Sequence, residues 1–295
     1  MSLFIQSLIN GLNQGAIYAL IALGYTMVYG IIRMINFAHG DFIMVGAYTL
    51  FYTVPLMIHY GMPPWIAVVA AITVCVLVGV LVERIAYRPV RNAGSISALI
   101  TALAMSLFLE NLAMVVFGAN PKSVTAIFTL PYVEILGAKL QCKYLLTIAI
   151  GIVIMVGLQL FIKNTRLGKA MRAVPQDKEA SLLMGINVNK IITTTFAIGS
   201  GLAAVAALMY CSTYPRCTTD MGSMMGLKVF IAAVLGGIGS IPGAMVGGII
   251  VGLVEIFVKV YVAPGWYEAI TYSLLIFVLL IKPSGILGKN IGEKV

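Results

Sequence analysis

KNTRLGKAMRAVPQDKEASLLMGINVNK, residues Lys163–Lys190, is a polar and strongly basic stretch set between two long apolar runs. It carries Lys163, Arg166, Lys169, Arg172, Lys178 and Lys190 against Asp177 and Glu179. The whole chain of 295 residues is 61% hydrophobic and only 10% charged. No water-soluble fold of this size can bury that much apolar sequence. The chain therefore reads as an all-α polytopic membrane protein, with this loop as its main exposure to one aqueous side.

A helix needs about 20 apolar residues to cross about 30 Å of hydrocarbon. Apolar runs lie near 8–31, 42–58, 64–82, 95–117, 144–162, 191–210, 228–241, 244–262 and 269–285. Some are short, so about eight or nine transmembrane helices are expected. They fill most of the chain and leave no room for a soluble domain beside them, which predicts a single membrane domain over 1–295.

The formal net charge of +9 invites a nucleic-acid reading, but the placement of the charge argues against it. Arg33 and the segments 83–94, 163–190 and 282–295 hold 13 of the 19 basic residues. The segments 118–143 and 211–228 hold five, and Lys259 stands near the end of a span. Lys and Arg collect in cytoplasmic loops. The asymmetry is thus an orientation signal, and no nucleic-acid partner is expected. It puts Lys163–Lys190 and the tail with Lys282, Lys289 and Lys294 in the cytoplasm, and Ala119–Lys143 outside. The same parity puts the N-terminus outside. Residues 1–20, MSLFIQSLINGLNQGAIYAL, lack a basic n-region and read as a retained first span. The four cysteines show no CxxC spacing, so no metal site is expected. Cys211 and Cys217 could pair if the outer face is oxidising.

Two interruptions divide the apolar pattern. The run 8–32 ends at Asn36-Phe37-Ala38-His39-Gly40-Asp41 before a second run begins. Residues 228–262 are broken by Gly236-Gly237-Ile238-Gly239-Ser240-Ile241-Pro242-Gly243. Unbroken, that second stretch would be roughly 52 Å of helix, too long for one crossing. Two short crossings satisfy the charge rule; a re-entrant half-helix is the rival. Interrupted segments in corresponding positions of two halves point to a translocation site. Asn36, His39 and Asp41 in the first break, with Gly236, Gly237, Gly239 and Ser240 in the second, are therefore the candidate solute path. The competing reading makes the first set helix caps, with Asp41 as the N-cap of the next helix.

Glu110 and Glu255 lie within apolar runs, where ionisable groups are expensive and default to function unless a neighbouring helix satisfies them. Gly243, Gly247, Gly248 and Gly252, and also Gly199, Ala203 and Ala207, have the small-residue spacing of close helix packing. No G-x-x-x-x-G-K-[ST] loop, H-E-x-x-H or supported Ser-His-Asp arrangement occurs. The chain is expected to be no enzyme and to hold no cofactor. Within the basic loop, Glu179-Ala180-Ser181-Leu182-Leu183 forms a short amphipathic helix, and Gly185 allows its closing turn. Its leucines fit a partner's groove, or the helix could lie on anionic lipid.

NGLNQGAIYALIALGYTMVYG, INFAHGDFIMVGAY, RPVR, TRLGKAMRAVPQDKEASLLMGINVNK, VLGGIGSIPGAMVGGIIVGLVE and KPSGILG follow one another in the chain. Together they strongly resemble the permease subunits of bacterial ABC importers for branched-chain amino acids, in particular the shorter of the two paired permeases. The resemblance implies a second related permease, two cytoplasmic ATPase subunits that use ATP, and a periplasmic amino-acid-binding protein. It places the chain in the bacterial inner membrane as a multi-pass protein with a cytoplasmic C-terminus. It also lays the family's coupling motif, Glu-Ala-Ala followed by Gly, on Glu179, Ala180, Ser181 and Gly185, with Ser181 replacing the second Ala. The implied function is import of aliphatic amino acids. An amide or urea permease and a stand-alone ion-coupled transporter are the alternatives.

Overall fold

A computed structural model describes residues 2–91, 93–125, 127, 131–135 and 138–288. In chain order its helices are α1 (Ser2–Ile32), α2 (Asp41–His59), α3 (Trp65–Val82), α4 (Arg88–Val90), α5 (Ser95–Phe117) and α6 (Cys142–Asn164). They continue with α7 (Arg166–Ala173), α8 (Lys178–Leu183), α9 (Val188–Thr213), α10 (Met221–Gly236), α11 (Ile241–Tyr261) and α12 (Tyr267–Ile281). A 3-10 turn at Phe37–His39 leads into α2, and a π-turn at Glu83–Tyr87 joins α3 to α4. Four short strands, β1 (Lys122–Ser123), β2 (Tyr132–Ile135), β3 (Ala138–Gln141) and β4 (Arg216–Cys217), form two antiparallel pairs, β1–β4 and β2–β3.

The architecture is the expected all-α membrane bundle. Eight helical segments among the described residues are long and apolar enough to cross a bilayer. α10 has 16 residues, roughly 24 Å of helix, and is shorter than a full span. Its start at Met221 corrects the sequence reading, which places Thr213–Gly226 outside and begins the apolar run at 228. The helix begins earlier because Gly222 and Gly226 pack against Gly40, so tertiary contact supplies what hydropathy did not signal.

α1 is the central helix. Almost every residue from Asn13 to Val28 is buried. It is held by close backbone contact: side chains at Gly248 and Gly252 of α11 would collide with Ala19 and Gly15 of α1. On the adjoining face of α11, Gly243 and Gly247 meet Gly236 and Ala232 of α10. The glycine stripe is therefore a two-sided internal packing surface. In α9, Ala204 and Ala207 receive Gly46 of α2 in the same way. Without a hydrophobic drive between helices in lipid, this close approach and the van der Waals contact it allows carry the association.

The basic segments gather at one end. Ile31, Ile32 and Arg33 share a recess with Pro175–Glu179. Arg91 donates to Asn189 Oδ1 at 2.7 Å and Thr193 to Glu83 Oε2 at 2.8 Å, which ties the π-turn to the start of α9. The tail folds back onto the end of α10, with Ile286 N–H donating to Leu235 O at 2.9 Å and Leu287 N–H to Gly236 O at 3.0 Å. Lys289 and Lys294 lie outside the described residues. At the far end of α9, β1 pairs with β4 and Lys143 donates to Ser212 O at 2.7 Å. Cys211 and Cys217 are buried there as separate thiols, not as a disulfide.

Candidate functional site

At the basic end, α8 is a single capped turn and a half. Asp177 is its N-cap, and its carboxylate accepts from Ala180 N–H at 2.9 Å. Gly185 closes it with φ at +78°. Gly185 N–H donates to Leu182 O and Ile186 N–H to Ser181 O, both at 3.0 Å. These crossed bonds form a Schellman motif, which needs a left-handed residue at the position Gly185 occupies. Ser181 is buried and donates to Asp177 O at 2.7 Å, so replacing the second alanine of the motif leaves the turn intact. The outward face is bare: Leu182, Leu183 and Met184 are 58%, 89% and 82% exposed.

α8 faces the end of the central helix across a recess. A recess of about 400 Å³ is bounded by Pro175–Glu179 on one side and Ile31, Ile32 and Arg33 on the other. Arg33 has φ at +57°, the one positive φ of a non-glycine residue among those described. The left-handed conformation ends α1 and turns the chain towards the first break.

That first break dips deep into the bundle. His39 Nε2 lies 3.2 Å from Ile21 O of α1, about 16 Å from the end of that helix. Its ring sits edge-on to Tyr25 and Phe42. Asn36 Oδ1 accepts from the Tyr87 hydroxyl at 2.6 Å. Asn36, His39 and Asp41 are all buried. Asp41 is not the cap of α2. Gly40 occupies that position without a side-chain bond, and Asp41 is the first helical residue. Among the described residues, its carboxylate oxygens, together with Asn36 Nδ2 and His39 Nδ1, have no hydrogen-bond partner. Irregular backbone and free polar atoms at membrane depth survive only where protein buries them or a cavity is lined.

The second break lies elsewhere. Gly237 and Gly239 have φ at +104° and +91°, and Ser240 caps α11 by accepting from Gly243 N–H at 3.2 Å. Gly236 and Gly237 are buried under the tail near Leu287 and Gly288, whereas Gly239 is exposed beside Gly30 at the basic end. The two breaks do not form one continuous lining. α10 connects them: its first turn meets Gly40 and Asp41, and its last residue opens the second break.

The two glutamates within the apolar spans bond to neighbouring helices, Glu255 fully and Glu110 through one oxygen. Glu110 of α5 accepts from Ser223 of α10 at 2.9 Å. Glu255 of α11 accepts from Tyr18 of α1 at 2.6 Å, Lys228 of α10 at 3.2 Å and Lys259 at 2.5 Å. The Tyr267 ring faces both lysines, at 4.5 Å and 4.0 Å. Lys228 stands at the boundary of the apolar run 228–241, and hydropathy alone does not pair it with Glu255. A lone lysine within the apolar window 221–236, facing an equally lone Glu255, was the available signal.

The family model described as "Branched-chain amino acid transport system / permease component" matches residues 7–279. The chain belongs to that family. It is 41% identical to the high-affinity branched-chain amino acid transport system permease protein LivH of Escherichia coli (strain K12), over 99% of this chain and 98% of that one. It is 42% identical, with the same coverage, to the corresponding protein BraD of Pseudomonas aeruginosa. A more distant likeness, 27% identity over 94% of this chain and 84% of the other, links it to the ribose import permease protein RbsC of Haemophilus influenzae. No solved structure matches.

Proposed function

We propose that this chain is the membrane-spanning subunit of an ATP-driven importer and carries branched-chain, aliphatic amino acids into the cytoplasm. The family membership and the full-length likeness to LivH and BraD support this reading. The observation that carries the mechanism is α8. An exposed apolar turn of Leu182, Leu183 and Met184 at the basic end offers a soluble ATPase a surface to push. The assembly comprises this chain, a second related permease, two ATPase subunits and a periplasmic binding protein. The chain sits in the inner membrane with its basic end and C-terminus in the cytoplasm, as the charge asymmetry favours.

In this reading Glu179, Ala180, Ser181, Leu182, Leu183 and Gly185 form the coupling element. ATPase closure moves α8, the recess passes the displacement to Arg33, and the break that follows changes the solute path. Asn36, His39 and Asp41 line that path at depth. Gly236, Gly237, Gly239 and Ser240 form the hinge of α10 at its cytoplasmic mouth. ATP is consumed by the partner subunits. The test is reconstitution with the genomic neighbours in proteoliposomes. Uptake of labelled leucine should require both ATP on the ATPase side and the binding protein. Uptake by this chain alone, driven by an ion gradient, would reject the reading in favour of a secondary transporter.

A further inference from the structure

The buried break holds a carboxyl group that no described residue pairs with. Asp41 is fully buried, and among the described residues neither of its oxygens has a hydrogen-bond partner. Ser106 of α5 stands beside it without meeting hydrogen-bond geometry. A second carboxylate comes from Glu110, whose Oε1 accepts from Ser223. Asp41 Oδ1 lies against Gly222, the residue just before Ser223. The two acids thus converge on the first turn of α10. Among the described residues neither makes an ion pair; the basic partners Arg91, Lys228 and Lys259 are engaged with Glu83 and Glu255.

An ionised carboxylate in a membrane bundle is costly unless a partner or a dipole offsets it. Here two helix N-termini do so in part. Asp41 is in the first turn of α2, and both acids face the first turn of α10. Each terminus carries the equivalent of about half a positive charge. They offset part of the cost of a carboxylate there. What remains is a buried carboxyl group, Asp41, with acceptors unused by the described residues.

We propose that Asp41, assisted by Glu110, forms the subsite that takes the α-ammonium group of the transported amino acid. The inference rests on the permease reading above and specifies how the path recognises its cargo. An ammonium group has three N–H donors and no acceptor. The two oxygens of Asp41 and the second oxygen of Glu110 offer it three acceptors. Glu110 is half-buried on α5, whereas Gly40, Gly222 and Gly226 seal the opposite side of Asp41 by backbone contact. Phe37 packs on Phe230 beside the break, with ring centroids 5.9 Å apart, so the surroundings of the subsite are apolar.

The experiment uses the complete reconstituted complex at saturating binding protein and reads leucine uptake and ATP hydrolysis together. Asp41→Asn keeps the shape and removes the charge. It should lower maximal uptake by at least about tenfold, the scale expected when one partner of a buried charge pair is lost. ATPase attachment and binding-protein-stimulated hydrolysis should stay within about twofold, because neither involves the cargo's ammonium group. A purely structural role would lower uptake and hydrolysis in parallel. If Asp41→Asn does not assemble, Glu110→Gln carries the test, with uptake down by at least about threefold and hydrolysis kept. Wild-type uptake by either assembled variant overturns the subsite, as does a parallel loss of uptake and hydrolysis in Glu110→Gln. The unmodified complex is measured first: if it imports no branched-chain amino acid, the permease reading itself fails.

Discussion

Lys228 of α10 and Glu255 of α11 meet at 3.2 Å inside the bundle, and the same Glu255 oxygen also accepts from Lys259. The other oxygen takes the Tyr18 hydroxyl from α1. One carboxylate therefore fastens three helices, including α10, which ends at the glycine-rich break after Gly236. Breaking a buried ion pair by removing one partner leaves an uncompensated charge and costs about 3–5 kcal/mol. Glu255→Gln strands two lysines at once. It should lower the thermal midpoint of the purified complex by about 6 °C or more. Lys228→Met leaves Glu255 its Lys259 partner and should cost about half as much. Equal midpoints for wild type and Glu255→Gln would show that the network is incidental.

Much of the fold was legible because apolar run length and basic-residue placement are direct readouts of bilayer physics. The short helix at Glu179–Gly185 was legible too, since Asp177, Ser181 and Gly185 carry local capping information. The first break was visible as polar residues between apolar runs, but its depth was not. That depth depends on His39 meeting Ile21, a contact set by packing and not by local sequence. The early start of α10 was hidden for a related reason: Gly222 and Gly226 meet Gly40 there, and hydropathy carries no trace of that approach. Asp41 reads locally as a cap, yet Gly40 holds that position in the folded chain.

The seam between α1 and α11 predicts an all-or-none steric result. A side chain at Gly252 would run into the backbone of Gly15. Backbone cannot yield as a flexible side chain can, and overpacking there separates two central helices. Gly252→Leu should fail to give a monodisperse complex by size-exclusion chromatography. Gly265→Leu is the control, because nothing lies within 4 Å of a Cβ at that position. A well-behaved Gly252→Leu variant would mean that α1 and α11 do not pack this closely.

Orientation can be read with an impermeant maleimide. The native thiols at Cys75, Cys211 and Cys217 are buried. Burial also pushes the Cys217 thiol up to about 11, so little thiolate exists at pH 7.5. Cys142 is partly exposed and is replaced by Ser. Against that silent background, Arg172→Cys should react only in inside-out vesicles. Ser123→Cys, in the β1–β4 pair at the far end, should react only in spheroplasts with the outer face presented. The reverse pattern would invert the bundle and put α8 out of reach of any cytoplasmic ATPase.

The closing turn of α8 gives the sharpest test of coupling. Gly185 has φ at +78°, and a Cβ there would touch nothing within 4 Å. Any penalty for a larger residue is therefore conformational and not steric crowding by neighbours. A left-handed conformation costs an ordinary L-residue about 1–2 kcal/mol, and a β-branched one more. Gly185→Val should unwind the Schellman turn and swing Leu182, Leu183 and Met184 out of register. Gly185→Asn should largely preserve it, since Asn tolerates that conformation. Membrane insertion should be the same for both variants, because no span is altered. Co-purification of the ATPase, or uptake per ATP hydrolysed, should fall in Gly185→Val and recover in Gly185→Asn. If the valine variant keeps wild-type attachment, hydrolysis and uptake, the exposed turn is not the surface on which the ATPase acts.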